Sequence, residues 1–336
     1  MSEGEMIVKV RVPTYKRPVL LQRALASLLS QTHRCWRCVV IDDSPDQEGH
    51  SVCQAINDNR ISYVPNVDNL GICRNIDLAF SRSPLPGSLF LCVLEDDNYF
   101  LPENLTRNVA LMEGSRIDVL LRNQGIEQMV VHDQPGKLTE RTTFDGQYLD
   151  GRLAHARLWS SFFYSTGANN SSLFWRANVG LDFSTIYYVE DPVVQERLRT
   201  LCIDRDVLVA LDPLIVWRDN GDESLRAKRS GLQWRLAQIE AAMSERTIYV
   251  ALNEFLINEA VYHLAFQPPS GDFTAERERV FHRVGLSVPI GARRLSRRSR
   301  WQIAFKRILV RIVSSIWPRQ KKITICFKNR RLSKNQ

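Results

Sequence analysis

No apolar run in the 336 residues reaches the ~18 needed to cross a bilayer as a helix, and the N-terminus has no charged-then-apolar leader. The expectation is a cytoplasmic chain. Acids are absent from Arg279 onward, where seventeen Lys and Arg stand alone, whereas residues 1–278 hold 28 basic against 37 acidic side chains. A mildly acidic body with a basic tail points to a polyanionic partner surface. The seven cysteines are an odd number, and several sit inside apolar runs, as reduced core thiols do. Cys35-Trp-Arg-Cys38 has CxxC spacing but no second CxxC, and it runs directly into a strand pattern, which disfavours zinc or redox chemistry. There is no helix-turn-helix, RNP or zinc-finger pattern, so nucleic acid is not the expected partner. Internal repeats and low-complexity tracts are also missing.

What is present is a globular composition, 44% hydrophobic and 24% charged, long enough for one to three domains. Met6–Val12 alternates as a strand, and Leu20, Leu21, Ala24, Leu25, Leu28 and Leu29 recur at helical spacing. Trp36–Ile41 and Ile61–Val64 read as strands, with a short helix around Ser51–Asn57 between them and another helix through Phe80. That order is the order of a parallel α/β sheet, whose ligands gather at the carboxyl edge of the strands. The chain then reaches Phe90-Leu91-Cys92-Val93-Leu94-Glu95-Asp96-Asp97-Asn98, five apolar residues followed by three acids. A strand buried on both faces can end in three carboxylates only if they emerge at that edge. Adjacent acids raise one another's pKa, so a cation is expected beside them; a divalent metal holding a phosphorylated substrate satisfies this. The plainer reading is an acidic helix start, since Pro102-Glu103-Asn104-Leu105 opens a helical pattern shortly after.

Beyond this the pattern loosens. Asp118–Leu121 is an expected strand, 123–150 a loop or small β excursion with Gln128–Val131 as one strand, and Gln147–Tyr164 a helix. A polar loop, Gly167–Ser172, precedes the strand Leu173–Arg176; Glu190-Asp191-Pro192 opens a helix, and Val207–Val216 is a bent strand or strand pair. Helices are expected at about 224–244, 247–266 and 273–283. In the tail, Trp301, Phe305, Ile308, Leu309, Ile312 and Ile316 share one helical face opposite Lys306, Arg307 and Arg311, the pattern of a basic helix lying on an anionic membrane surface.

Four loops at expected strand ends, taken in order, resemble the GT-A-fold glycosyltransferases of family 2. They are Val12-Pro13-Thr14-Tyr15-Lys16-Arg17-Pro18, Val40-Ile41-Asp42-Asp43-Ser44, Asn69-Leu70-Gly71-Ile72-Cys73-Arg74-Asn75 and Leu94-Glu95-Asp96-Asp97-Asn98. Ser172-Leu173-Phe174 and Glu190-Asp191 extend the resemblance to about residues 6–220. It implies a mixed, mostly parallel GT-A sheet flanked by helices over residues 1–222. A helical region at 223–290 and a membrane-associating tail at 291–336 would follow.

The activity implied is inverting transfer of a sugar from a nucleotide diphosphate, UDP-sugar first, to an acceptor hydroxyl in cell-surface polysaccharide or glycolipid synthesis. The acceptor would be a glycan, a glycolipid or a lipid-linked sugar, met at the inner face of the cell membrane. The resemblance assigns Pro13, Thr14, Tyr15 and Arg17, with Asp42, Asp43 and Arg74, to the nucleotide; Tyr15 would stack on the base. Glu95, Asp96 and Asp97 form the DxD-type motif, departing from it in the initial Glu and in Asn98. Asp97 is the expected ligand of Mn²⁺ or Mg²⁺, with Glu95 or Asp96 acting through the ribose or a water. Asp191 is the expected general base, and Arg218, beside Asp219, the expected phosphate contact. Two other classes compete. A sugar-nucleotide pyrophosphorylase normally opens with a Gly-rich loop, and glycine is missing between Val8 and Pro18. A membrane-bound scaffold or regulator that has kept the fold without the chemistry is the non-enzymatic rival.

Overall fold

The computed structural model describes residues 6–81, 88–144, 148–154, 158, 169–179, 181, 183 and 188–220. The helices expected after residue 223 and the basic tail lie outside the described residues. No helix among the described residues is long and apolar enough to cross a membrane.

A ten-stranded mixed sheet organises the chain. β1 (Ile7–Thr14), β2 (Trp36–Asp42), β3 (Ile61–Pro65) and β4 (Ser88–Val93) are mutually parallel, in the order β3-β2-β1-β4. The crossovers run through α1 (Pro18–Leu29), α2 (Glu48–Ile56) and α3 (Ile72–Ala79), and α4 (Asn104–Glu113) follows β4 along the chain. β9 (Leu173–Arg176) is inserted antiparallel between β4 and β6 (Val119–Gln128). β10 (Val207–Asp219) then runs parallel to β6 and carries the short β5 (Tyr99–Phe100) and β8 (Gly151–Leu153), while β7 (Lys137–Thr142) pairs with β6. Because β9 runs backward, its amino end meets the carboxyl end of β4. That single reversal brings the 170–172 turn to the acidic motif.

The elements follow their sequence patterns. In α1, Pro18 occupies the first helical turn, where its missing N–H costs nothing, and Leu20, Leu21, Ala24, Leu25 and Leu28 bury one face. The amides of Val19 and Leu20 are met by the Asp133 carboxylate at 3.4 and 3.1 Å, so the helix start is capped from the distant β6–β7 connection. β1 is buried on both faces although it contains Lys9 and Arg11. Arg11 resolves this by donating to the carbonyls of Ala79 (2.8 Å) and Ser81 at the end of α3, where the helix carries partial negative charge. One apolar core lies on each face of the sheet, one around Val93, Leu121, Trp175 and Leu198 and the other around Val10, Leu25, Leu105 and Phe174.

Three expectations change. The strand expected at Asp118–Leu121 starts at Val119 and runs for ten residues to Gln128, and Gln128–Val131 is not a strand of its own. The chain turns there through Asp133 at φ +47°, leaving Val130 and Val131 70% and 56% exposed. Within the helix expected over Gln147–Tyr164, Gly151–Leu153 form instead the strand β8, where Gly151 adopts φ +107°, outside any right-handed helix; Leu158 is helical, and residues 147, 155–157 and 159–164 lie outside the described residues. The ambiguity at Val207–Val216 resolves as one strand whose register with β6 shifts between Ala210 and Ile215, around Pro213, which has no amide to donate. Buried Arg122 fills that bend, donating to Asn108 Oδ1 and to the Asp212 carboxylate.

Candidate active site

The first loop is fastened to the acidic motif through Asp96. Thr14 Oγ1 donates to Asp96 Oδ2 at 2.8 Å and the Tyr15 amide reaches the same oxygen at 3.3 Å. Arg17 Nη1 bridges Asp97 Oδ2 at 2.8 Å and Asp96 Oδ1 at 3.4 Å. The cation demanded by three neighbouring acids is thus partly supplied by the protein. Lys16, at φ +53°, donates its amide to Ser44 Oγ at 2.8 Å, and the Asp43 amide donates to the Thr14 carbonyl at 3.0 Å. These bonds join the first loop to the second. Pro13 stands opposite Ile41 at the end of the β1–β2 ladder, and the Tyr15 ring is 44% exposed above this junction.

Asp42 and Asp43 organise backbone. Asp42 accepts from the amides of Ser44 (2.9 Å) and Gly49 (3.0 Å) and from the Tyr63 hydroxyl (3.0 Å). A Cβ at position 49 would lie 2.7 Å from Asp42 Oδ2, so only glycine fits this approach. Asp43 accepts from the amides of Leu70 (2.8 Å) and Gly71 (2.9 Å) and from Asn66 Nδ2 (2.8 Å), suspending the 66–71 loop. Arg74 stacks over the Tyr188 ring at 4.5 Å.

Glu95 is held deeper. Its Oε2 accepts from Asn98 Nδ2 (3.1 Å) and Ser171 Oγ (3.2 Å), and its Oε1 from Asn170 Nδ2 (3.0 Å). Burial, then the charges of Asp97 and Glu196, push its carboxyl up out of the ordinary carboxylate range. Asp96 is also raised, by burial first; Arg17 opposes the rise and Asp97 adds to it. Both groups bind protons more tightly in the folded chain than in the unfolded one. Their contribution to stability is therefore present in acid and lost as the pH rises through the raised values. The metal-free chain is expected to show a Tm that falls between about pH 5 and about pH 8. Mn²⁺ should recover part of the loss at the upper end, and differential scanning calorimetry at fixed ionic strength reads both effects; a flat Tm would overturn the reading.

Asp97 is placed differently. Its hydrogen bonds to described residues, from Arg17 and from Asn220 Nδ2 (3.4 Å), fall on Oδ2, which leaves Oδ1 for a ligand. Its carbonyl accepts from Arg23 Nη2 at 2.6 Å, and Arg23 Nη1 reaches both oxygens of Glu127. Among the described residues no three His, Cys, Asp or Glu side chains form a metal cage. The motif fits a site with one or two protein carboxylates completed by substrate phosphates. Arg218 is buried and turned inward: its guanidinium donates to the carbonyls of Val131 (2.8 Å) and Gln134, and its amide to Asn98 Oδ1 (3.0 Å). It ties β10 to the β6–β7 connection from beneath the motif.

Asp191 caps α5 (Pro192–Leu201), its Oδ1 accepting from the amides of Val193 (2.9 Å) and Val194 (3.2 Å). Four residues that the sequence patterns did not single out link this helix to the motif. Asn170 touches Glu95 and α5, and Arg199, Gln195 and Asp77 form a buried cluster behind it. The polar run Asn169-Asn170-Ser171-Ser172, buried throughout, was the available signal.

Residues 10–172 match the family model for glycosyl transferase family 2. Residues 10–172, just under half of the chain, are thus similar in sequence to family 2 glycosyltransferases. Protein CgeD of Bacillus subtilis (strain 168) is 32% identical over 107 residues, 30% of this chain and 25% of that protein. The putative colanic acid biosynthesis glycosyl transferase WcaA of Escherichia coli (strain K12) is 26% identical over 137 residues, 39% and 47% of the two chains. The matched segments thus span less than half of either relative. Crystal structures of S. aureus TarS 1–349 share this fold. The complex with UDP-GlcNAc superposes with TM-score 0.54 at 16% identity, covering 83% of this chain and 80% of TarS. The complex with UDP gives 0.55 at 17%, covering 85% and 82%.

Proposed function

We propose that the chain is an inverting glycosyltransferase that moves a sugar from UDP to an acceptor hydroxyl. The observation that carries this reading is the bonding of the first loop to the acidic motif, Thr14 and Tyr15 on Asp96 and Arg17 on Asp96 and Asp97. It sets an exposed aromatic ring and two carboxylates around one point at the carboxyl edge of the sheet. Tyr15 stacks on the base, and the backbone of Pro13 and Thr14 reads its edge. Asp97, through Oδ1, would hold Mn²⁺ or Mg²⁺, which when bound offsets charge growing on the leaving diphosphate. Arg17, already between the carboxylates, turns to the phosphate oxygens. Asp191 takes the proton of the acceptor hydroxyl as that oxygen attacks the anomeric carbon from the face opposite the diphosphate, which inverts the configuration.

The solved TarS complexes, with UDP-GlcNAc and with UDP, support uridine as the base to test first. The colanic acid description of WcaA supports a surface-polysaccharide acceptor. In this reading residues 1–222 catalyse, 223–290 form a helical region, and the basic helix after 291 holds the protein on the inner face of the membrane. Titration calorimetry with UDP, GDP, dTDP and CDP, each with and without Mn²⁺, tests the donor. Metal-dependent binding of UDP is expected. If no nucleotide binds, the scaffold reading replaces this one.

A further inference from the structure

Taking the proposed reaction as its basis, we infer that Asn170 is a positioning residue: it fixes the helix that carries Asp191 against the acidic motif. It thereby sets the separation between proton acceptor and leaving group. The two halves of the site come from separate elements, the end of β4 and the start of α5, and among the described residues no strand pairing joins them directly. Asn170 does. Its Nδ2 lies 3.0 Å from Glu95 Oε1 and 3.5 Å from Glu196 Oε2, so one amide nitrogen, with two hydrogens, stands between a carboxylate of the motif and one of α5.

The orientation of that amide is not free. Arg199 Nη1 donates to Asn170 Oδ1 at 3.0 Å, and a guanidinium has no acceptor. The oxygen must therefore face Arg199 and the nitrogen must face the carboxylates. Arg199 is itself immobilised. Its side chain is 1% exposed and ion-paired with Asp77 at 2.7 Å, and its Nη2 donates to the Cys73 carbonyl at 3.2 Å. Gln195 Nε2 donates to the other Asp77 oxygen at 3.0 Å, and Cys73 Sγ reaches the Glu190 carbonyl at 3.6 Å. Helices α3 and α5 are thus bolted together behind Asn170, and Asn170 is their link forward to Glu95. The same turn adds Ser171, whose hydroxyl contacts the Glu95 amide (3.1 Å) and Asn98 Nδ2 (2.9 Å). A displacement of about 1 Å between reacting groups is enough to cost on the order of a hundredfold in rate, so a rigid link here acts on turnover more than on donor binding.

The variants are Asn170→Ala, which removes the link and leaves the Arg199–Asp77 cluster intact, and Asn170→Asp. The latter keeps the shape and the acceptor for Arg199 but presents a third carboxylate to Glu95 and Glu196. Two measurements are made on the full chain: stoichiometry and Kd of UDP with Mn²⁺ by calorimetry, and UDP release from UDP-glucose, UDP-galactose and UDP-N-acetylglucosamine with water as acceptor. In that reaction water loses a proton to the base, its oxygen bonds to the anomeric carbon, and UDP leaves with the electron pair of the broken C–O bond. Asn170→Ala should bind UDP at full stoichiometry with Kd and donor KM within about threefold of wild type, while kcat falls about thirtyfold; Asn170→Asp should fall further. Unchanged kcat in both variants overturns the inference. A kcat that falls only in step with the fraction of UDP-binding sites also overturns it, since that marks a structural brace. Wild-type protein that binds no nucleotide fails at the earlier step and takes the reaction and this inference down together.

Discussion

Asp191→Asn is expected to lower kcat about a thousandfold and to leave UDP affinity and thermal stability nearly unchanged. Positioned general bases contribute roughly 10²–10⁴-fold, and Asn cannot take a proton at the pH of the assay. The substitution separates chemistry from folding because of where Asp191 sits. Its Oδ1 caps α5 by accepting from Val193 and Val194, and an asparagine oxygen caps a helix about as well. An alanine at this position would remove both the base and the cap, so loss of activity there would be ambiguous. Retention of more than about a tenth of wild-type kcat by the asparagine variant would move the base elsewhere, with neighbouring Glu190 as the next residue to test.

Asp97→Ala is expected to abolish the metal-dependent part of nucleotide binding, weakening UDP in the presence of Mn²⁺ by about a hundredfold and removing detectable turnover. The fold should survive. Arg23 holds this position through the main-chain carbonyl, and Arg17 keeps Asp96 as a partner. The substitution leaves Arg17 with one carboxylate in place of two, so UDP binding without metal should rise slightly as the guanidinium turns to the diphosphate. Calorimetry with and without Mn²⁺ reads both effects. Metal-dependent UDP affinity equal to wild type would show that Asp97 does not hold the ion.

Much of this was legible in the sequence because the signals were local. The strand periodicities of β1 to β4, the helical face of α1 and the acids at strand ends each depend on a few adjacent residues. A parallel α/β sheet followed from their order, and its GT-A form from the resemblance of the strand-end loops to family 2. The β8 strand was missed because one positive-φ glycine, Gly151, overrides the helical spacing around it. The roles of Asp42 and Asp43 were legible only in part: acids at strand ends announce an edge site. Nothing local shows that the amides of Gly49, Leu70 and Gly71 occupy their oxygens. The phosphate role that the resemblance gives Arg218 is a separate matter: the β6–β7 connection folds over its side chain and offers its carbonyls to the guanidinium, which nothing local announces. Asn170 showed only as part of a polar run and Arg199 not at all, because their meaning lies in contacts across 75 and 122 residues of chain.

The hydrogen bond from the Arg218 amide to Asn98 Oδ1 spans 120 residues. It means that the motif at the end of β4 is completed by a residue near the end of β10. On a ribosome the acids at 95–97 emerge long before β10 can pair with β6, so for much of synthesis three carboxylates stand without Arg218 beneath them. Closing so distant a contact is slow, and the pairing of β10 is the step that fixes the loop carrying the acids.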